Sequence, residues 1–185
     1  MAQFPIKNGL IQGTLDGTPS GGTVDLSALT LTLPAANRSP MLIYRHTATD
    51  GSHGGTATSG SWQTRTINEE TVDTDSIGSL SSNQITLPAG TYRLRAECSF
   101  YAVGYIQTRL YNATDSTVIA YGHNGYNASG QTYPIPLECR FTIASSKAIR
   151  VEYRCTATSA TYGQGEASTW SGNEEVYATV VIIKE

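Results

Sequence analysis

The residue types that carry chemistry are sparse in this sequence and badly spaced for it. His46, His53 and His123 have no metal-ligand spacing to one another or to a cysteine. Cys98, Cys139 and Cys155 are odd in number and widely separated, with no Cys-x-x-Cys pair, so neither a disulfide framework nor a zinc site is expected. Asp73-Thr74-Asp75-Ser76, with Glu69 and Glu70 just upstream, gathers oxygen ligands suited to a hard cation. It lacks the glycine and distal glutamate of an EF-hand loop, and a solvated acidic loop is the expectation, with no metal. Neither Gly-x-Ser-x-Gly nor a motif pairing Cys with His is present, and no glycine-rich loop opens a helix to cradle a phosphate. The expectation is a protein without catalytic residues or cofactor. Carboxylates brought together from distant strands, as in β-rich glycosidases, are the one enzymatic arrangement that motifs do not exclude.

Tyrosine gives a stronger signal. The chain has 11 Tyr against 3 Phe. Tyr101, Tyr105, Tyr111, Tyr121, Tyr126 and Tyr133 crowd into one stretch, interleaved with Asn, Gly and Arg109. Tyr supplies stiff contact area with a polar tip, which suits a receptor or subunit interface. The plainer reading is a set of half-buried sheet residues whose hydroxyls reach water.

The elements that would position these residues are strands. In residues 91–101, Tyr92, Leu94, Ala96, Cys98 and Phe100 fall on one face and Arg93, Arg95, Glu97 and Ser99 on the other. Leu137, Cys139, Phe141 and Ile143, then Ile149, Val151, Tyr153 and Cys155, repeat the pattern. All three cysteines land on apolar faces, where free Cys acts as a small hydrophobe. Further strands are expected at 41–47, 61–67, 84–87, 105–112, 117–121 and 174–184, with Gly122-His123-Asn124-Gly125 as a turn. Residues 176–183 are apolar on both faces, fitting a strand buried between its sheet and a subunit neighbour. No stretch has a capped helical period. Eight or so short strands indicate an all-β, jelly-roll-like antiparallel β-sandwich.

The first 40 residues read differently. Phe4, Ile6, Leu10, Ile11 and Leu15 are isolated among glycines and turn formers, and one strand-like piece follows at 23–33, where Leu29, Leu31 and Leu33 alternate with threonines. Residues 1–40 are expected to be an extended attachment arm with one strand; the alternative is that they complete the main sheet. A strand and a Gly/Ser/Thr-rich linker follow at 41–61, and the head is expected at 62–185.

Net charge and hydropathy exclude two partner classes. Charged residues make up 15% of the chain, the formal charge is -3 and no Lys/Arg run occurs, so nucleic acid is not an expected partner. The longest apolar run, 180–183, is far too short to span a bilayer, and no signal-peptide pattern opens the chain. Synthesis in the cytoplasm and no membrane partner are therefore expected. A secreted lectin is disfavoured on the same grounds.

Five separated blocks carry a family resemblance: Gly-Ser-Trp-Gln-Thr-Arg-Thr-Ile-Asn at 60–68, Leu-Pro-Ala-Gly-Thr-Tyr-Arg at 87–93, Leu-Tyr-Asn-Ala-Thr-Asp at 110–115, Arg-Phe-Thr-Ile at 140–143 and Glu-Glu-Val-Tyr-Ala at 174–178. Together, over roughly residues 48–185, they resemble a domain of bacteriophage virion proteins, a trimeric jelly roll in the manner of C1q and tumour-necrosis-factor heads. The resemblance implies a non-enzymatic homotrimer on the virion surface. Without a heptad stretch or repeated shaft, the chain suits a capsid decoration, cement or head-fibre protein whose arm docks on the major capsid protein. The alternative is a tail-fibre tip, attached to a tail protein, that recognises a host surface glycan.

Overall fold

Strand periodicity of this kind folds into two layers, because each strand has one apolar face to bury. The computed structural model of the chain describes residues 39–185 except Ser129 and Thr169, together with two short N-terminal strands. It separates a unit at Met1–Asn37 from a unit at Arg38–Glu185. In the first, β1 (Ile6–Lys7) pairs antiparallel with β2 (Leu10–Ile11). Phe4, Leu15, Leu29, Leu31, Leu33 and the strand expected at 23–33 lie outside the described residues.

The second unit is an antiparallel sandwich, and no helix occurs among the described residues. One sheet runs β11 (Thr132–Ile143), β8 (Gly90–Tyr101), β13 (Glu175–Lys184), β3 (Met41–Ala48), β5 (Glu69–Asp73). The other runs β10 (Thr117–Asn127), β9 (Gly104–Asn112), β12 (Lys147–Cys155), β7 (Gln84–Leu87), β6 (Ser79–Ser81), with β4 (Gln63–Thr64) also paired to β12. Leu94, Ala96, Cys98, Phe100, Val180 and Ile182 of the first sheet and Ile106, Leu110, Ile149, Val151 and Tyr153 of the second form one buried core. Phe100 packs on Tyr153 with ring centroids 5.1 Å apart. The three cysteines are free; Cys98 and Cys155 are buried and Cys139 is half-buried, and burial raises the pKa of each thiol.

Three sequence expectations need correction. Residues 41–61 are not a strand and linker ahead of a head that starts at 62, since β3 lies inside the first sheet between β13 and β5. The Gly/Ser/Thr-rich segment after it is tied to residues 155–165 by backbone hydrogen bonds, among them Gly54 N–H to Gly165 O, Gly55 N–H to Thr161 O and Ala57 N–H to Ser159 O at 2.9–3.0 Å. Its small residues serve close approach rather than flexibility: a Cβ on Gly54 would lie 2.5 Å from Gln164 O.

The Gly122–Gly125 motif is likewise no turn. β10 continues through it to Asn127, with a register irregularity between Tyr121 and Asn124, and crosses close to β11. A Cβ on Gly122 would sit 2.9 Å from Leu137 Cβ and 3.0 Å from Pro136 O. The glycine lets the two sheets meet at this edge. Gly122→Ala is expected to cost about 1–3 kcal/mol through overpacking, read as a lower thermal midpoint. An unchanged midpoint would mean that β10 can yield there.

β5 and β6 escaped sequence reading because their apolar alternation is too short. β13 holds a further irregularity, between Val176 and Ala178, so that Tyr177 and Ala178 are both buried.

Candidate functional site

The structure divides the six singled-out tyrosines. Tyr101, at the end of β8, is half-buried and its ring meets Tyr162 at 5.8 Å, while Tyr133 is exposed on neighbouring β11; both belong to the first sheet. Tyr105, Tyr111, Tyr121 and Tyr126 instead share the outer face of the β10-β9-β12 sheet. Antiparallel register sets cross-strand rows there, because directly opposed residues share a face. Tyr126 stands opposite Tyr105, Asn124 opposite Gln107, Tyr121 opposite Arg109 and Val118 opposite Tyr111. On the other side of β9, Arg154 stands opposite Gln107, Glu152 opposite Arg109 and Arg150 opposite Tyr111.

A buried carboxylate organises the middle of this face. Glu152 is only 2% exposed. Its Oε2 accepts from Arg109 Nε at 2.6 Å and its Oε1 from Arg150 Nε at 2.7 Å. Each guanidinium brings a second nitrogen to the same oxygen, at 2.5 and 2.6 Å. Such forked pairs fix side-chain direction. Arg109 then lies 4.1 Å from the Trp62 ring centroid and 4.7 Å from that of Tyr111, which Arg150 approaches at 5.1 Å. Trp62 also meets Tyr121 at 6.2 Å.

Beside this block is an open groove of about 780 Å³, whose lining includes Tyr105, Gln107, Asn124, Arg154, Ser59 and Thr156. Tyr105 and Tyr126 are 67% and 60% exposed although their rings meet, tilted, at 4.9 Å. Arg154 is exposed, donates to Gln107 Oε1 at 3.1 Å and reaches over Trp62 at 5.0 Å. Sequence reading found the tyrosines but missed Trp62, Arg154 and the arginine–glutamate core. The polar face Arg150, Glu152, Arg154 was visible as a strand face; its partners were not, since they come from β9 and the segment before β4.

The first sheet turns a different face outward. Its cross-strand rows run Met41, Ile183, Arg93, Arg140 and then Val72, Ile43, Val181, Arg95, Glu138. One half is apolar and the other charged. On the charged half, Arg93 and Arg140 meet the Glu185 carboxylate at 2.5 and 2.7 Å, and Arg95 meets Glu97 at 2.6 Å. Met41 and Ile183 remain 37% and 36% exposed.

The remaining chemistry-bearing residues are scattered. His53 accepts from Ala167 N–H through Nδ1 at 3.0 Å, His123 is exposed on β10, and His46 is buried. Asp73 Oδ2 accepts from Gly78 N–H at 2.7 Å and Asp73 Oδ1 from Asp75 N–H at 3.3 Å, so the acidic segment closes a turn. Among the described residues no group of three His, Cys, Asp or Glu side chains could hold a metal. Arg65, wholly buried, donates to Gln164 Oε1 and, at 2.9 Å each, to the carbonyls of Gln164 and Tyr177. Its guanidinium also lies 5.2 Å from the Phe100 ring centroid.

No protein-family model matches this chain, and no curated protein matches it. Solved structures do. The globular domain of zebrafish complement 1qA protein superposes with a TM-score of 0.50 at 14% identity, covering 78% of this chain and 96% of that one. Murine APRIL, determined at pH 8.0, gives 0.52 at 8% identity over 80% of this chain and 100% of its own. Eiger TNF from S. frugiperda gives 0.51 at 8% identity, covering 80% and 94% respectively. At such identities the likeness is one of fold, and the fold is the C1q/TNF-like jelly roll.

Proposed function

We propose that this chain is a non-enzymatic bacteriophage virion surface protein whose jelly-roll head assembles as a homotrimer through the outer face of β11-β8-β13-β3-β5. The observation that carries the assembly is the half-apolar face itself. Met41, Ile43, Val72, Val181 and Ile183 form a contiguous strip beside Arg93, Arg95 and Arg140. A patch of this kind with a charged rim suits a subunit contact. The C1q/TNF-like fold and the five sequence blocks support the same reading. Residues 1–40 would then dock the head on the major capsid protein, as in a decoration, cement or head-fibre protein, with avidity from three arms.

Sedimentation equilibrium tests the assembly. The wild type is expected at three times the chain mass, and Val181→Glu at the mass of one folded chain. A wild-type monomer at tens of micromolar would end the proposal. Immunogold labelling of virions tests location: gold over the head supports decoration, gold at the tail end supports a tip, and unlabelled virions refute both.

The tip reading, recognition of a host surface glycan, is favoured by one observation of its own. Tyr105, Tyr121 and Tyr126 stand 67%, 59% and 60% exposed on the sheet opposite the proposed contact, where a trimer would leave them accessible.

A further inference from the structure

We infer that the groove between Tyr105 and Arg154 binds a saccharide carrying a negatively charged group, with Arg154 as its anion contact; this deepens the tip reading and rests on it. The charge arithmetic of the sheet face comes first. Arg109 and Arg150 share the single carboxylate of Glu152, each in a forked pair. Arg154, two residues on along β12, forms no ion pair among the described residues. Its one hydrogen bond is to the neutral Gln107 amide oxygen. An exposed guanidinium held in place by an amide and an indole ring, beside a pair of arginines already carrying more positive charge than their glutamate cancels, is a preoriented anion site.

The rest of the lining says what the anion is attached to. Tyr105, which lines the groove, and its ring neighbour Tyr126 present aromatic surface to solvent, and the electron-rich faces of such rings attract the polarised C–H groups of a pyranose ring. Gln107, Asn124, Ser59 and Thr156 supply paired donors and acceptors for hydroxyls. Aromatic rings with amides and hydroxyls and, among the described lining residues, a single cation free of an ion pair match a sugar acid or a phosphorylated or sulfated sugar. They do not match a nucleic acid strand, which needs a row of cations to follow its phosphates, whereas this chain has net charge -3. A groove of about 780 Å³ has room for a short oligosaccharide.

The test uses the full chain on an array holding matched oligosaccharides: uronic-acid-containing, their carboxyl-reduced counterparts, and sulfated and phosphorylated forms. The wild type is expected to bind at least one anionic set at least tenfold more tightly than its neutral counterpart. Arg154→Gln should abolish that preference, and Tyr105→Ala should weaken binding about tenfold, while Trp170→Ala, an exposed aromatic outside the groove lining, leaves both intact. Comparison of the carboxylate, sulfate and phosphate sets identifies which anion is read. Equal binding to charged and neutral sugars, or a preference unmoved by Arg154→Gln, would overturn the inference while leaving the tip reading in place. Binding to no saccharide would overturn both. Circular dichroism of each variant establishes that it is folded.

Discussion

Arg65→Leu is expected to lower the stability of the head by about 3–5 kcal/mol, seen as a shift of the urea midpoint with an unchanged m-value. Arg65 is fully buried with no carboxylate partner among the described residues, so its own desolvation opposes folding. Leucine removes that cost, and for an ordinary buried charge the exchange is often neutral. Here the acceptors are the difference. The Gln164 and Tyr177 carbonyls are backbone groups that the substitution cannot remove, while the Gln164 side-chain oxygen loses its guanidinium partner and keeps only the Thr66 N–H. Each orphaned acceptor costs roughly 1–3 kcal/mol, which outweighs the relief. The affected end of the sandwich is where residues 54–60 pair with 155–165, and Ser59, Gly60 and Thr156 of those segments form one wall of the groove. Arg65→Leu should therefore loosen the groove before the rest of the head, with faster amide exchange at Gly54 and Ala57 than at Ala96. A loss below 1 kcal/mol at fixed protein concentration would show that the loop carbonyls find other donors.

Acid should destabilise the head well above the pH at which its carboxylates protonate. His46 is buried against Tyr177, with ring centroids 5.4 Å apart. Burial, and secondarily the nearby Arg65 guanidinium, push its pKa down to about 3. In the unfolded chain it titrates near 6.5, so below that pH the unfolded state binds a proton that the folded state refuses. Above pH 6.5 the imidazole is neutral in both states and has no effect. As pH falls from 6.5 toward 3 stability is lost, by at most about 1.4 kcal/mol per pH unit. The clean window is pH 6.5 to 5, above the range where Asp115 and Glu185, whose pKa values are lowered by Lys147 and by Arg140 with Arg93 respectively, would contribute in the same direction. Unfolding free energies across that window should fall with pH for the wild type and stay flat for His46→Leu. Parallel slopes in the two proteins would place the proton elsewhere.

These two residues show how far sequence reading reaches. His46 lies on an apolar-alternating strand, and its burial follows from the same pattern that buries Leu42 and Tyr44. Arg65 sits in a segment expected to be a strand, but nothing local distinguishes a buried arginine from a surface one. Its partners are 99 and 112 residues away. The candidate groove divides in the same way. Tyr105 and Tyr126 were legible as an interleaved aromatic run. Arg154 became relevant only when β12 was seen to lie beside β9, and Trp62 only when the segment before β4 was seen to cross the same face.

What the sequence determined by itself is the strand content and the inward faces, because a period of two is a local property and burial of one face follows from it. It likewise determined that the cysteines sit on core-facing positions and that no catalytic or metal motif recurs at short spacing. The tertiary structure decided which strands are neighbours, and with that the register. It turned a supposed turn at Gly122–Gly125 into a crossing of β10 over β11, and a supposed linker into one wall of the groove. It also separated Tyr133 and Tyr101 from the tyrosines of β9 and β10. Pairing between strands far apart in the chain depends on the packing of both layers at once, and no window of the sequence contains that information.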